Sequence, residues 1–175
     1  QLQQIDGIGS FPEYSYEKLI SEMELFTDWM LPSLQIKPTS DELALIKRTF
    51  AILANAAVAQ PQVIVHRDYH SRNLMKVEGE TDLGVIDFQD AVIGADTYDL
   101  ISITRDAYVQ WNADRVYSWF KVFYDLLPEA SKEDRGFDQF KKDADFMAIQ
   151  RHLKILGIFV RLFERDGKSG YLKDL

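Results

Sequence analysis

Apolar side chains recur at helical spacing through most of this chain, and at strand spacing only between residues 61 and 88. The clearest helical stripe, within residues 39–60, consists of Leu43, Ile46, Phe50, Leu53 and Ala57. Steps of three and four residues put these side chains on one helix face, and Thr39 with Glu42 has the capping-box pattern at its start. The same reasoning predicts further helices over residues 16–30, 97–111, 112–127 and 137–164. The chain is therefore predicted to be mostly α-helical.

Two features of the predicted helices bear on packing. The helix over residues 112–127 carries the aromatic residues Tyr117, Trp119, Phe120, Phe123 and Tyr124. Because they follow helical periodicity, they are predicted to be core residues rather than a stacking platform. Gly157 lies inside the last predicted helix, where a glycine indicates either a close packing contact or a kink.

Short apolar runs in the middle of the chain predict three strands. Residues 63–65 are β-branched and follow Pro61, which is typical of a buried strand. Residues 74–77 and 83–88 are separated by the turn-forming residues 79–82, and so predict a hairpin. A hairpin brings the residue before its first strand close to the residue that ends its second strand.

The loop that precedes this hairpin has the residue pattern of phosphoryl transfer. Residues 66–75 read His-Arg-Asp-Tyr-His-Ser-Arg-Asn-Leu-Met, so Asp68 comes two positions after a His and Asn73 five positions later. Asp87 lies at the end of the hairpin, near Asn73. The chemistry needs one group that faces the acceptor hydroxyl, here Asp68, and two oxygen ligands for Mg²⁺, here Asn73 and Asp87. Any one of these residues would more often be a cap or turn residue, but the fixed spacing of the whole set indicates function.

This pattern resembles the aminoglycoside phosphotransferase-like superfamily of small-molecule kinases, which share His-x-Asp-x-x-x-x-Asn and a later Ile-Asp-Phe or Ile-Asp-Trp. Gln89 stands where protein kinases have Gly. Five longer segments of the sequence resemble the bacterial anomeric kinases of N-acetylmuramate and N-acetylglucosamine in cell-wall sugar recycling. They are residues 66–75, 84–94, 98–100, 151–157 and 165–167. The resemblance covers nearly the whole chain. It implies an α+β, mostly α-helical C-terminal lobe of the protein-kinase-like fold, whose hairpin bears the catalytic loop, and ATP with Mg²⁺ as cofactors.

Five further residues of this region belong to the candidate site, most of them with two alternative roles. His66 is predicted to hold the loop by hydrogen bonds rather than to react. His70 and Arg72 can contact substrate or phosphate, or can stabilise the loop. Asp90 can add a metal or substrate contact, or can be a turn residue. Asp99 resembles the family Asp that braces the catalytic loop, and its alternative is an ordinary helix-start carboxylate.

The acceptor remains open at this point. Arg105 and Arg151 are candidates for binding a substrate carboxylate such as a lactyl group, although each is more typical of a surface residue. The excess of Asp and Glu leaves an aminoglycoside, choline-like or homoserine-like acceptor possible. A non-catalytic binding module derived from a kinase is a further alternative, against which the three intact catalytic positions argue.

Composition limits the class of protein. A chain of 175 residues with 46% hydrophobic residues can bury one core, so residues 1–175 are predicted to form a single domain. A net charge of −8 argues against nucleic-acid or anionic-membrane partners. The most apolar run, residues 155–163, is short and contains Arg161. The absence of cysteine and of a signal-peptide pattern fits a cytoplasmic protein.

The nucleotide-clamping part of a kinase is not recognisable. Gly7 and Gly9 are the only close glycine pair near the start, no strand-rich segment follows them, and G-x-x-x-x-G-K-[ST] does not occur. The chain also begins without Met. We therefore expect an N-terminal lobe to lie upstream, and we expect this chain alone to bind nucleotide weakly and to turn over little or no substrate.

Overall fold

The structure is a computed structural model that describes residues 11–79 and 81–174; Gly7 and Gly9 lie outside these residues. Its helices are α1 (Tyr16–Leu25), α2 (Leu31–Ser33), α3 (Ser40–Val58), α4 (Tyr98–Thr104), α5 (Ala113–Leu126) and α6 (Phe137–Glu164). Its strands are β1 (Gln62–Val65), β2 (Leu74–Lys76), β3 (Leu83–Val85) and β4 (Val92–Ala95). A π-helical turn (Phe26–Met30) joins α1 to α2, and 3₁₀ turns cover Ser71–Asn73, Glu129–Ser131 and Ser169–Asp174. The predicted mostly helical α+β class is confirmed.

The strands form two small antiparallel sheets. In the first, β1 pairs with β4, and Val65 lies opposite Val92. In the second, β2 pairs with β3 as the predicted hairpin, and Leu74 lies opposite Val85. The pattern did not predict β4, because all four of its residues are buried and it lacks the alternation of a half-exposed strand. The N–H of Tyr14 donates to the Ile93 carbonyl at 2.7 Å, so the segment before α1 lies along β4.

The long helix α6 lies against α1, α3, α4 and α5 and lines much of the core. A Cβ at Gly157 would overlap the backbone of Leu25, so the predicted glycine packing contact is confirmed. On α5, Phe120 is fully buried, and Tyr117, Phe123 and Tyr124 pack partly buried against the core, as predicted. Within the described residues, neither α6 nor any other helix has a stretch that is long and apolar enough to span a bilayer.

Most predicted helix limits agree with the structure. Helix α3 has the predicted capping box between Thr39 and Glu42, and α5 and α6 match their predicted ranges. The first helix, predicted over residues 16–30 and ending near Pro32, is confirmed: α1 continues through the π-helical turn into α2, which ends at Ser33. Pro32 lies in the first turn of α2, directly after the π-helical turn, and it cannot donate the N–H that a continued helix would use there.

Two predicted elements were too long. The helix predicted over residues 97–111 ends at Thr104. Beyond it the Asp106 carboxylate accepts hydrogen bonds from the N–H of Ser71 at 2.9 Å and of Tyr108 at 3.0 Å, which turns the chain away from the helix axis. The strand predicted over residues 83–88 ends at Val85, and Asp87 has a left-handed backbone with φ of 71° that interrupts an extended chain.

Candidate active site

The hairpin brings the predicted Asn73 and Asp87 together, as the sequence predicted. The Asn73 Nδ2 donates to the Asp68 backbone carbonyl at 3.0 Å and to the Asp87 carboxylate at 3.4 Å. The N–H of Ile86 donates to the Asn73 carbonyl at 3.1 Å and extends the pairing by one residue beyond the strands. Asn73 is buried, whereas Asp87 is exposed and Asp68 is half-buried. One amide thus connects the loop of Asp68 to the end of the hairpin.

Asn73 and Asp87 fit a Mg²⁺ ion that arrives with a nucleotide. Because the Asn73 Nδ2 is used by Asp68, its Oδ1 remains as an acceptor. The Asp87 carboxylate is exposed, and its Oδ1 is oriented by a 2.6 Å hydrogen bond from Gln89. Among the described residues no group of three or more His, Cys, Asp or Glu side chains can hold a metal by itself. Mg²⁺ needs only one or two protein carboxylates when phosphate and water complete its octahedron.

Two non-glycine residues at this site have left-handed backbones. Arg67 has φ of 72° and Asp87 has φ of 71°. Each such conformation costs about 1–3 kcal/mol and persists only where the surroundings impose it. Arg67 immediately precedes Asp68, so its conformation sets the direction in which the chain enters the loop.

Asp99 and His66 support the loop from the protein interior. The Asp99 carboxylate accepts from the N–H of His66 at 2.7 Å and of Arg67 at 3.1 Å. Burial raises the pKa of Asp99 above its ordinary value, although these two N–H groups oppose the rise. The fully buried His66 ring lies with its Nε2 3.0 Å from the Ile86 carbonyl, which requires the proton on Nε2. These contacts connect the loop to α4 and to the hairpin.

His70, Arg72 and Asp90 differ in their surroundings. The His70 ring meets Tyr108 edge-on at 5.4 Å, and burial lowers its pKa below 6.5 against the opposing effect of Asp106 and Asp68. The exposed Arg72 places its guanidinium 3.4 Å from the centre of the Tyr108 ring. Asp90 is exposed in a turn closed by the N–H of Ala91 on the Phe88 carbonyl. Substrate or metal roles for these three residues stay predictions.

A buried ion cluster lies beneath the loop, and the sequence pattern did not predict it. Glu22 accepts from Arg67 at 2.6 Å, pairs with Lys154 at 3.0 Å and accepts a short hydrogen bond from the Tyr14 hydroxyl. Burial disfavours its charge, but Lys154, the Tyr14 hydroxyl and Arg67 together lower the pKa of Glu22 below 4.5. One signal was present in the sequence: Glu22 lies between Leu19 and Met23 on the buried stripe of α1, where an unpaired carboxylate would be costly.

A cavity of about 110 Å³ opens beside Asp68. Its polar and charged wall consists of Arg67, Asp68, His70, Tyr98, Tyr108, Arg151 and Lys154. Arg151 is only 4% exposed, so its interpretation as a surface residue was wrong: α6 turns this position toward the loop. Arg105 is half-buried and pairs with Asp145 at 2.5 Å instead of lining this cavity.

Comparisons with known proteins identify the family of this chain. The sequence profile described as "Phosphotransferase enzyme family" matches residues 1–133. The chain belongs to this family. It is similar to the N-acetylmuramate/N-acetylglucosamine kinase of Pseudomonas aeruginosa, with 40% identity over 99% of this chain and 51% of the relative. The proteins of the same name from Pseudomonas putida and Neisseria meningitidis serogroup B are 38% and 37% identical over 100% of this chain and 52% of their length. The chain spans about half the length of these curated relatives.

Proposed function

We propose that the protein containing this chain transfers phosphate from ATP to the anomeric hydroxyl of N-acetylmuramate or N-acetylglucosamine, as a step in cell-wall sugar recycling. The observation that carries the proposal is the Asn73 amide, which links the Asp68 carbonyl to the Asp87 carboxylate. Membership of the phosphotransferase family supports the reaction class. The names of the relatives support the acceptor.

In this proposal Asp68 faces the acceptor hydroxyl, and Asn73 with Asp87 holds Mg²⁺ on the ATP phosphates. Phosphoryl transfer has a loose transition state, so most of the catalytic effect comes from position and electrostatics. An anomeric hydroxyl is more acidic than other sugar hydroxyls, and Asp68 therefore needs little basicity: it orients the hydroxyl and accepts its proton late. The bound Mg²⁺ supplies positive charge to the phosphate oxygens.

We also propose that this chain is the C-terminal lobe of the enzyme, a single domain over residues 1–175. The half-length match to the relatives supports this division. A separate N-terminal lobe would then supply the loop and the lysine that hold the ATP phosphates. Use of ATP is consistent with our expectation of a cytoplasmic protein.

The test is phosphate transfer by the full-length protein with Mg-ATP, with the position of the new phosphate determined by ³¹P NMR. The acceptors are N-acetylmuramate, N-acetylglucosamine, an aminoglycoside and choline. We expect phosphate on the anomeric carbon, and a loss of at least about a hundredfold in kcat for Asp68→Asn. Asp82→Asn, at an exposed turn of the hairpin, is the matched control and should retain wild-type activity. Transfer only to another acceptor would refute the sugar assignment, and no transfer by a protein that binds Mg-ATP would refute the proposed reaction.

A further inference from the structure

The cavity beside Asp68 has three cationic side chains on its wall, namely Arg67, Lys154 and Arg151. Arg67 and Lys154 both pair with the single buried carboxylate of Glu22. Arg151 forms no ion pair or hydrogen bond with any described residue, and its Nη1 is buried without a partner. The charge of Arg151 also acts on the buried Asp99 carboxylate, whose pKa burial raises and Arg151 lowers, so Asp99 partly balances this third cation without forming an ion pair with it.

A buried guanidinium without a hydrogen-bonded anion is unfavourable, because burial removes the water that would solvate it. Arg151 is 4% exposed and lies among the buried residues of α6. Its planar fork matches the two oxygens of a carboxylate. His70 lines the same wall, and its Nδ1 also lacks a partner among the described residues. Arg151 and His70 thus both line the cavity, and each has a buried nitrogen without a partner among the described residues.

The cavity has room for part of an acceptor. A volume of about 110 Å³ accommodates a small carboxyl-bearing side group. Asp68 lies on the same wall, so a molecule that puts its hydroxyl at Asp68 has its substituents within reach of the cavity. N-acetylmuramate differs from N-acetylglucosamine by a lactyl ether that ends in a carboxylate.

We propose that Arg151 binds the carboxylate of an anionic acceptor and so determines preference for N-acetylmuramate over N-acetylglucosamine. The proposal rests on the proposed function, because it needs a sugar at Asp68. Arg151 acts on specificity: it binds the lactyl group and takes no part in the transfer of phosphate.

The test compares kcat/KM of the full-length enzyme for three acceptors: N-acetylmuramate, its lactyl carboxamide and N-acetylglucosamine. The carboxamide keeps the shape of the lactyl group and removes its charge. We expect the wild type to favour the acid over the carboxamide by about ten- to a hundredfold, the usual effect of a hydrogen-bonded charge. Arg151→Met should remove this preference and leave kcat/KM for N-acetylglucosamine within about threefold.

Arg151→Lys and Arg105→Met complete the design. Lysine keeps the charge but not the fork, so it should retain part of the preference. Arg105 pairs with Asp145 outside the cavity, and Arg105→Met should keep the full preference. Equal wild-type kcat/KM for the acid and the carboxamide would overturn the proposal, even if Arg151→Met failed to fold. An equal fall for all three acceptors in a folded Arg151→Met would overturn it as well. Both results leave the kinase intact, whereas no transfer to either sugar would remove the proposed function itself.

Discussion

The carboxylate of Asp99 accepts a 2.7 Å hydrogen bond from the backbone N–H of His66, which joins the start of α4 to the entry of the Asp68 loop. Its second oxygen accepts from the N–H of Arg67 at 3.1 Å. Arg67 has the left-handed φ of 72°, so Asp99 holds the strained residue that directs Asp68 toward the cavity. A side chain 33 positions away therefore fixes the loop geometry.

Asp99→Asn should cost about 2–4 kcal/mol of unfolding free energy and lower kcat by at least about a hundredfold. The amide of the variant places its NH₂ group against one of the two backbone N–H donors. It also replaces the charged acceptor, the buried carboxylate, by a neutral one. Urea unfolding and steady-state kinetics measure the two effects. The matched control is Asp114→Asn, in the exposed first turn of α5, where only the helix dipole is affected and about 0.5 kcal/mol is expected. An equal loss of unfolding free energy in both variants would show that Asp99 is an ordinary helix-start carboxylate.

Asp87→Asn should raise the Mg²⁺ concentration for half-maximal activity by at least about tenfold. A carboxylate binds Mg²⁺ more strongly than an amide does. Asn73→Ala should lower kcat as well, because it also removes the hydrogen bond to the Asp68 carbonyl. Titration of activity with Mg²⁺ at fixed ATP separates these effects. Asp90→Asn provides the comparison: a change of less than about twofold is expected, and a change equal to that of Asp87→Asn would make Asp90 a ligand.

The close approach of Asn73 and Asp87 could be predicted because it depends on local sequence. A hairpin with turn-forming residues between its strands fixes which of its ends meet. The capping box of Thr39 and Glu42 was predictable for the same reason, since its two hydrogen bonds join residues three positions apart. Elements with a strong internal period and local caps were correctly assigned.

What could not be predicted depends on residues far apart in the chain. Helix α4 ends early because Asp106 binds the N–H of Ser71, 35 positions away. Glu22 meets Arg67 across 45 positions, and its pairing with Lys154 joins α1 to α6. These contacts pair two of the cations beside Asp68 with Glu22, whereas the third, Arg151, forms no ion pair with a described residue. The sequence named Arg151 as a candidate, but its burial follows from helix packing.

Gly157→Ala should destabilise the protein by about 2–3 kcal/mol or more. A methyl group there overlaps the backbone of Leu25, and this cost exceeds the roughly 1 kcal/mol that alanine gains in helix propensity. Urea unfolding measures the difference. Gly170→Ala, where an added methyl meets no atom within 4 Å, should change stability by less than about 0.5 kcal/mol. A neutral or stabilising Gly157→Ala would contradict the close approach of α1 and α6.

Glu22 should make the stability of this protein depend on acid pH. Its pKa in the folded protein lies below the ordinary 4.5, because Lys154, the Tyr14 hydroxyl and Arg67 outweigh the effect of burial. The folded state therefore binds this proton less readily than the unfolded state does. The resulting stability is complete above about pH 4.5, and it is lost as the pH falls through the folded pKa.

Glu22→Gln tests this dependence directly. At neutral pH the variant should be less stable by about 3–5 kcal/mol, since Arg67 and Lys154 would keep their charges without the carboxylate that both share. The difference from the wild type should shrink as the pH is lowered from neutral through the folded-state pKa of Glu22, below which the wild-type carboxyl is also neutral. Urea unfolding across this pH range measures the stability difference. The control is Glu24→Gln, on the exposed face of α1. A difference that stays constant with pH would show that Glu22 contributes by its shape and not by its charge.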